Sequence, residues 1–296
     1  MQKTIKVLEF LILFVKEVFV KNKKGERLAG VLDKSKEDKA LIILCHGFAG
    51  TKEYSLFKTI SNELTKDGFS IFRFDFSGNG KSEGVFGEAG LLKESDDLKS
   101  VLKRFKKYKK IILIGHSMGG AACILAGNSS KRVKGIITIE GLVLPMITFS
   151  DSFLKFSPVV AFGENINEDE IISKIEKVKS SANLSITKRV LESAEKIFER
   201  AKNKFLLHDS FFEEAKEADI EHSARKLRKP ILIIHGKRDT LIPISHARFL
   251  YQHCNEPKKL VLLNHPHSFI IKDEAERIAK EIKEWLNNNE IFNFAK

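Results

Sequence analysis

Ser117 lies in Gly115-His116-Ser117-Met118-Gly119, between the apolar run KIILI (110–114) and the small-residue stretch GGAACILAG (119–127). A glycine, any residue, serine, any residue, glycine pattern arises by chance and alone means little. Placed after a strand and before a helix, it describes a tight turn that holds a serine hydroxyl out at the C-terminal edge of a sheet. That context makes an ordinary glycine-rich turn the weaker reading. A serine hydroxyl is a poor nucleophile at neutral pH, so the chemistry also needs a base within hydrogen-bond reach and a third group that fixes the base's tautomer.

Both partners are expected downstream, each on a loop after a strand, in the order acid then histidine. Asp239 in IIHGKRDTLIP follows the run PILIIHG (230–236), and His267 in LLNHPHSF follows KLVLLN (259–264). Asp239 could instead be a turn residue near Pro243, a common use of aspartate, but it stands where the acid is required. His265 competes with His267. Pro266 between them extends the chain, so the two rings should point in different directions and only one can face Ser117. His267 is preferred because Ser-Phe and a helix start follow it. A tetrahedral intermediate also needs two preorganised donors. The backbone N–H of Met118 is one, and the N–H of Phe48, in His46-Gly47-Phe48-Ala49-Gly50 after ALIILC (40–45), is the other. His46 itself reads as a brace for that loop.

The elements that must position these groups alternate along the chain. ALIILC (40–45), FSIFRFD (69–75), KIILIG (110–115), VKGIITI (133–139), PILIIHG and KLVLLN read as buried strands, apolar throughout because helices cover both faces of the sheet. Leu56, Ile60 and Leu64 mark a helix closed by Gly68; Leu91, Leu98 and Leu102 mark a second; Ile278, Ile282 and Trp285 mark a third. Residues 17–33 read as a hairpin turning at Lys24 and Gly25, an antiparallel edge. Between about Pro145 and Arg225 the strand rhythm gives way to a Lys/Glu-rich stretch of helical spacing, read as an inserted, mainly helical cap. The expected fold class is α/β: a mostly parallel sheet with helices on both faces, a core in two parts (1–144 and 226–296) and a cap at 145–225.

Composition is compatible with this. The chain has 296 residues, 43% hydrophobic and 30% charged, enough for one sizeable core plus one insertion. Its formal charge of +12 could attract nucleic acid or an anionic membrane. Much of the excess lies in solvated runs such as KRFKKYKK (103–110), at the end of an expected helix, and no nucleic-acid module accompanies them. Cys45, Cys123 and Cys254 are odd in number and contain no CxxC pair, which points to free thiols in a reducing, cytoplasmic compartment. The apolar segment Val7 to Val20 is interrupted by Glu9, Lys16 and Glu17 and is too short to span a bilayer, so it reads as an interfacial or packed lead into a strand. No stable membrane insertion is expected.

In this order HGFAG (46–50), FRFDFSGNGKSEG (72–84), GHSMGG, HGKRDTLIP and HPHSF resemble the α/β-hydrolase superfamily, and within it the cinnamoyl/feruloyl esterase and serine aminopeptidase-like group. The resemblance covers about 39–142 and 223–290. It implies Ser117, Asp239 and His267 as a triad, Phe48 and Met118 as oxyanion donors, and a loop-supporting role for Asp75. A serine at the elbow argues against dehalogenase, epoxide hydrolase and cysteine-dependent dienelactone hydrolase chemistry. There is no HExxH, and His265 and His267 are the only close histidine pair, so neither a metal nor another cofactor is expected. GNGKSEG lacks the spacing of a phosphate-binding loop.

The expectation is hydrolysis of small-molecule carboxylic esters with small to medium acyl or aryl groups through an acyl-enzyme. Phe149, Phe153, Phe156 and Phe162 are candidates to line an apolar pocket, or simply to form the cap's own core. Two alternatives stand beside it. One is a peptidase-like amidase or thioesterase using the same machinery. The other is a non-catalytic binding module on the same fold.

Overall fold

The computed structural model describes residues 14–145, 161–162, 206–267 and 272–288. Eight strands form one sheet: β1 (Phe14–Lys21), β2 (Arg27–Lys34), β3 (Leu41–Cys45), β4 (Ser70–Phe74), β5 (Ile111–His116), β6 (Val133–Ile139), β9 (Ile231–Gly236) and β10 (Lys258–Leu263). Their spatial order is β1-β2-β4-β3-β5-β6-β9-β10. β1 and β2 form the expected hairpin, in register from Phe14↔Lys34 to Lys21↔Arg27, and β2 runs antiparallel to β4. All other pairings are parallel. Two short strands, β7 (Ala161–Phe162) and β8 (Leu206–Leu207), pair apart from this sheet.

The parallel strands are apolar on both faces because each face has its own core. Leu41, Ile43 and Cys45 of β3, with Ile111 and Leu113 of β5 and Ile231 and Ile233 of β9, point into one hydrophobic cluster. The intervening Ile42, Leu44, Ile112, Ile114, Leu232 and Ile234 point into the other. Helices α2 (Leu91–Arg104), α3 (Met118–Ala126) and α6 (Ser245–His253) cover the first face. Helices α1 (Ser55–Lys66) and α7 (Lys272–Asn288) cover the second, through Leu56, Ile60 and Leu64 against Ile278, Ile282 and Trp285. β10 departs from the expectation of full burial: it closes one edge, has no neighbouring strand on its outer side among the described residues and is only half-buried.

Part of the segment read as an insertion joins the first core. Helices α4 (Asp209–Glu217) and α5 (Ile220–Lys226) contribute Phe211, Ala215, Ile220 and Ala224 to it, together with Leu207 of β8. The Glu214 carboxylate accepts the backbone N–H groups of Leu92 and Lys93, at 2.9 and 3.0 Å, satisfying first-turn donors of α2 that have no partner within the helix. Phe149, Phe153 and Phe156 lie outside the described residues; Phe162 belongs to β7.

Candidate active site

Ser117 stands between the end of β5 and the start of α3 with φ 52° and ψ −121°, a conformation that L-residues rarely adopt. The flanking glycines explain how the turn is possible. A Cβ on Gly115 would overlap the Gly119 carbonyl, and a Cβ on Gly119 would overlap the Cys45 and His46 carbonyls, so neither position accepts a side chain. The turn is held on both sides: Ser117 N–H donates to Ile139 O at 2.9 Å, and Ser117 O accepts from Gly120 and Leu142 N–H at 2.9 and 3.0 Å. Met118 is the first residue of α3, so its N–H is one of the first-turn donors with no partner within the helix.

The loop carrying Phe48 lies directly against this elbow. A Cβ on Gly47 would stand 3.0 Å from that of Ser117. The loop turns through Gly50 N–H to Gly47 O at 3.0 Å, with Ala49 at positive φ. His46 is fully buried and braces it, as the sequence implied: Nδ1–H donates to Gly47 O at 2.8 Å and Nε2 accepts Phe76 N–H at 3.0 Å. Asp75 ties the same loop from below. Its carboxylate accepts Lys52 N–H and the Lys52 ammonium, both at 2.6 Å, and Lys81 N–H at 2.9 Å. Phe48 packs edge-on against Phe86 and Phe211, so α4 reaches the loop as well.

Asp239 and His267 come together at the ends of β9 and β10. Asp239 Oδ1 accepts Leu241 and Ile242 N–H, at 2.9 and 2.7 Å, which fixes the carboxylate in a local turn. Oδ2 then faces His267, whose Nδ1–H donates to it at 2.8 Å. That bond places the proton on Nδ1 and leaves Nε2 of a neutral ring as an acceptor. The His267 ring also lies against that of His116, 5.1 Å between centroids. Among the described residues no hydrogen bond joins the Ser117 hydroxyl to the His267 ring. The acid-to-imidazole contact is therefore formed, and the imidazole-to-hydroxyl contact is not. His265 diverges from its neighbour, with Nδ1 2.8 Å from Pro266 O and 3.0 Å from Glu140 Oε1.

Glu140 is the residue that sequence reasoning missed. It follows β6, is fully buried, and has φ 52°. Its carboxylate lies 3.5 Å from His116 Nε2 and 3.5 Å from His267 Nδ1 as well as against His265. Burial pushes the Glu140 carboxyl above the usual carboxylate range, opposed by His116 and His265. Burial likewise pushes the His116 imidazole down, against the pull of Glu140. For His265 burial favours the neutral ring, but contact with Glu140 and the hydrogen bond to Pro266 O together outweigh it, and the ring is raised. The only available signal was a lone acid closing an apolar strand.

A family model described as the alpha/beta hydrolase fold matches residues 40–274, and the chain belongs to that family. A putative esterase/lipase of Mycoplasma genitalium is 30% identical over 216 residues, 71% of this chain and 75% of that protein. An uncharacterised 31.7 kDa protein of Escherichia coli is 28% identical over 226 residues, 71% of this chain and 76% of its own. Among solved structures, Est1E from Butyrivibrio proteoclasticus with ferulic acid bound is similar at a TM-score of 0.68, with 23% identity, covering 91% of this chain and 98% of that one. The esterase Pf2001 of Pyrococcus furiosus has a TM-score of 0.67 at 20% identity, covering 95% and 92%. At such identities the likeness to the solved structures is one of fold. No helix among the described residues is long and apolar enough to cross a membrane.

Proposed function

We propose that the chain is a serine hydrolase that cleaves carboxylic esters of small to medium acyl or aryl groups through an acyl-enzyme. The observation that carries this reading is the 2.8 Å bond from His267 Nδ1–H to Asp239 beside a serine at positive φ. Ser117 attacks the ester carbonyl while His267 Nε2 takes its proton. Asp239 keeps the imidazole in the accepting tautomer and steadies the imidazolium that forms. The N–H groups of Phe48 and Met118 hold the oxyanion of the tetrahedral intermediate, whose collapse expels the alcohol with a proton from His267. Water, activated by the same imidazole, then hydrolyses the acyl-enzyme. In this reading residues 145–225 form a cap over the site, and the three buried, free cysteines accord with a cytoplasmic protein.

A fluorophosphonate probe should label the native protein at Ser117, and a panel of p-nitrophenyl esters should be turned over in preference to aminoacyl amides and acyl-CoA. Preference for the amides or the thioester would move the activity to a peptidase or thioesterase. Absence of labelling would leave a binding module on a hydrolase fold.

A further inference from the structure

Behind the elbow, three parallel strands deliver a second constellation. β5 ends on His116, β6 is followed by Glu140, and His267 lies beyond β10. Neither oxygen of the Glu140 carboxylate has a hydrogen-bond partner among the described residues. Its neighbours are the ring nitrogens of His116, His265 and His267, at 3.0 to 3.5 Å. A buried carboxylate without hydrogen bonds is costly. The positive φ of Glu140 adds backbone strain at the same point.

One donor atom from each of His116, Glu140 and His267 lies within 4.8 Å of the other two. Two imidazoles and a carboxylate are a zinc donor set, with bonds of about 2.0–2.2 Å, which places tetrahedral ligand atoms roughly 3.3 Å apart. The separations of 3.5 Å from Glu140 to each ring are close to that spacing. His116 Nε2 also lies 3.4 Å from the His267 carbonyl oxygen, so an ion bound there takes the place of the proton on that nitrogen. The ion can enter on the side of His267, whose side chain is 16% exposed against 0% for Glu140.

We infer that His116, Glu140 and His267 form a site for a borderline-soft divalent cation, Zn²⁺ foremost, and that its occupation inhibits the enzyme by holding the His267 ring off Ser117. The inhibitory half rests on the reading of His267 as the general base; the binding half does not. Bound at Nδ1, the metal takes the place of the proton that Asp239 accepts, so the ring loses its orienting bond as well as its freedom to turn.

The test uses the full chain in buffer free of chelators. Calorimetry with zinc chloride should show one site, weakened at least tenfold in His116→Ala and in Glu140→Gln, and magnesium chloride should give no heat at the same concentrations. Cobalt(II) added to the native protein should give the visible absorption of a four-coordinate nitrogen and oxygen site, a readout that needs no variant to fold. Zinc should suppress p-nitrophenyl ester hydrolysis, and EDTA should restore it. No zinc binding, or binding equally tight in both variants, would overturn the site. Binding at the site with the hydrolysis rate unchanged would overturn its inhibitory role. A protein that hydrolyses no ester even without zinc, yet binds the ion at this cluster, would sink the esterase reading and leave the metal site standing.

Discussion

His265 and His267, separated by a single proline, engage different carboxylates: His267 Nδ1 meets Asp239 Oδ2 at 2.8 Å, and His265 Nδ1 meets Glu140 Oε1 at 3.0 Å. Their substitutions should therefore separate. His267→Ala should lower kcat on a p-nitrophenyl ester by on the order of 10⁴-fold, whereas His265→Gln should stay within about tenfold of the parent. The reverse ranking would reassign the base.

Asp239→Asn isolates tautomer control. The asparagine oxygen can still accept Leu241 and Ile242 N–H, so the local turn survives. The amide can no longer reward a proton on Nδ1 with a charged acceptor. Turnover should fall by roughly 10⁴-fold with the melting temperature nearly unchanged. A rate near that of the parent would show that Asp239 is only a turn residue.

Gly119→Ala should damage fold and activity together, because its methyl must displace the backbone carbonyls of Cys45 and His46 rather than a mobile side chain. A loss of about 2 kcal/mol or more in urea unfolding is expected. Gly25→Ala is the control. There a Cβ meets nothing within 4 Å, and only the left-handed conformation at φ 84° is penalised, by roughly 1 kcal/mol.

Lys52→Met should strand the fully buried Asp75 carboxylate without its ammonium partner and cost about 3–5 kcal/mol. Because the pair anchors the loop that carries Phe48, kcat should fall more than KM rises. If stability were unchanged, Asp75 would not depend on this partner.

His246 gives the stability a pH dependence. Burial lowers its imidazole to about 4, and Nδ1 accepts Val143 and Leu144 N–H at 3.1 and 3.3 Å, which requires the neutral ring. The unfolded chain binds a proton near pH 6.5 and the folded one only near 4, so stability is full above about 6.5 and declines as pH falls toward 4. The whole decline is on the order of 3 kcal/mol. In His246→Asn, urea midpoints at pH 5 and pH 7.5 should differ by less than in the parent; an equal difference would refute the assignment.

Much of the architecture was legible because buried parallel strands are continuous apolar runs. Six such runs match strands to within about one residue at each end, and the Lys24-Gly25 turn marked the hairpin. Glu140 was not legible. Its partners are far away in the chain, and only the placement of β6 between β5 and β9 brings a lone acid up to three histidines. The packing of α4 and α5 was hidden for a different reason: their surface is rich in Lys and Glu, while the burial rests on a few small and aromatic positions such as Phe211, Ala215 and Ala224.

The strand order also sets when the site can exist. β5, with its serine turn, sits mid-sheet and pairs with strands made early, whereas Asp239 and His267 arrive on β9 and β10, translated late and added at the outer margin. A growing chain would carry a sterically finished turn with no imidazole to arm it. On the proposed reading, reactivity toward esters would begin only once β9 and β10 had joined the sheet.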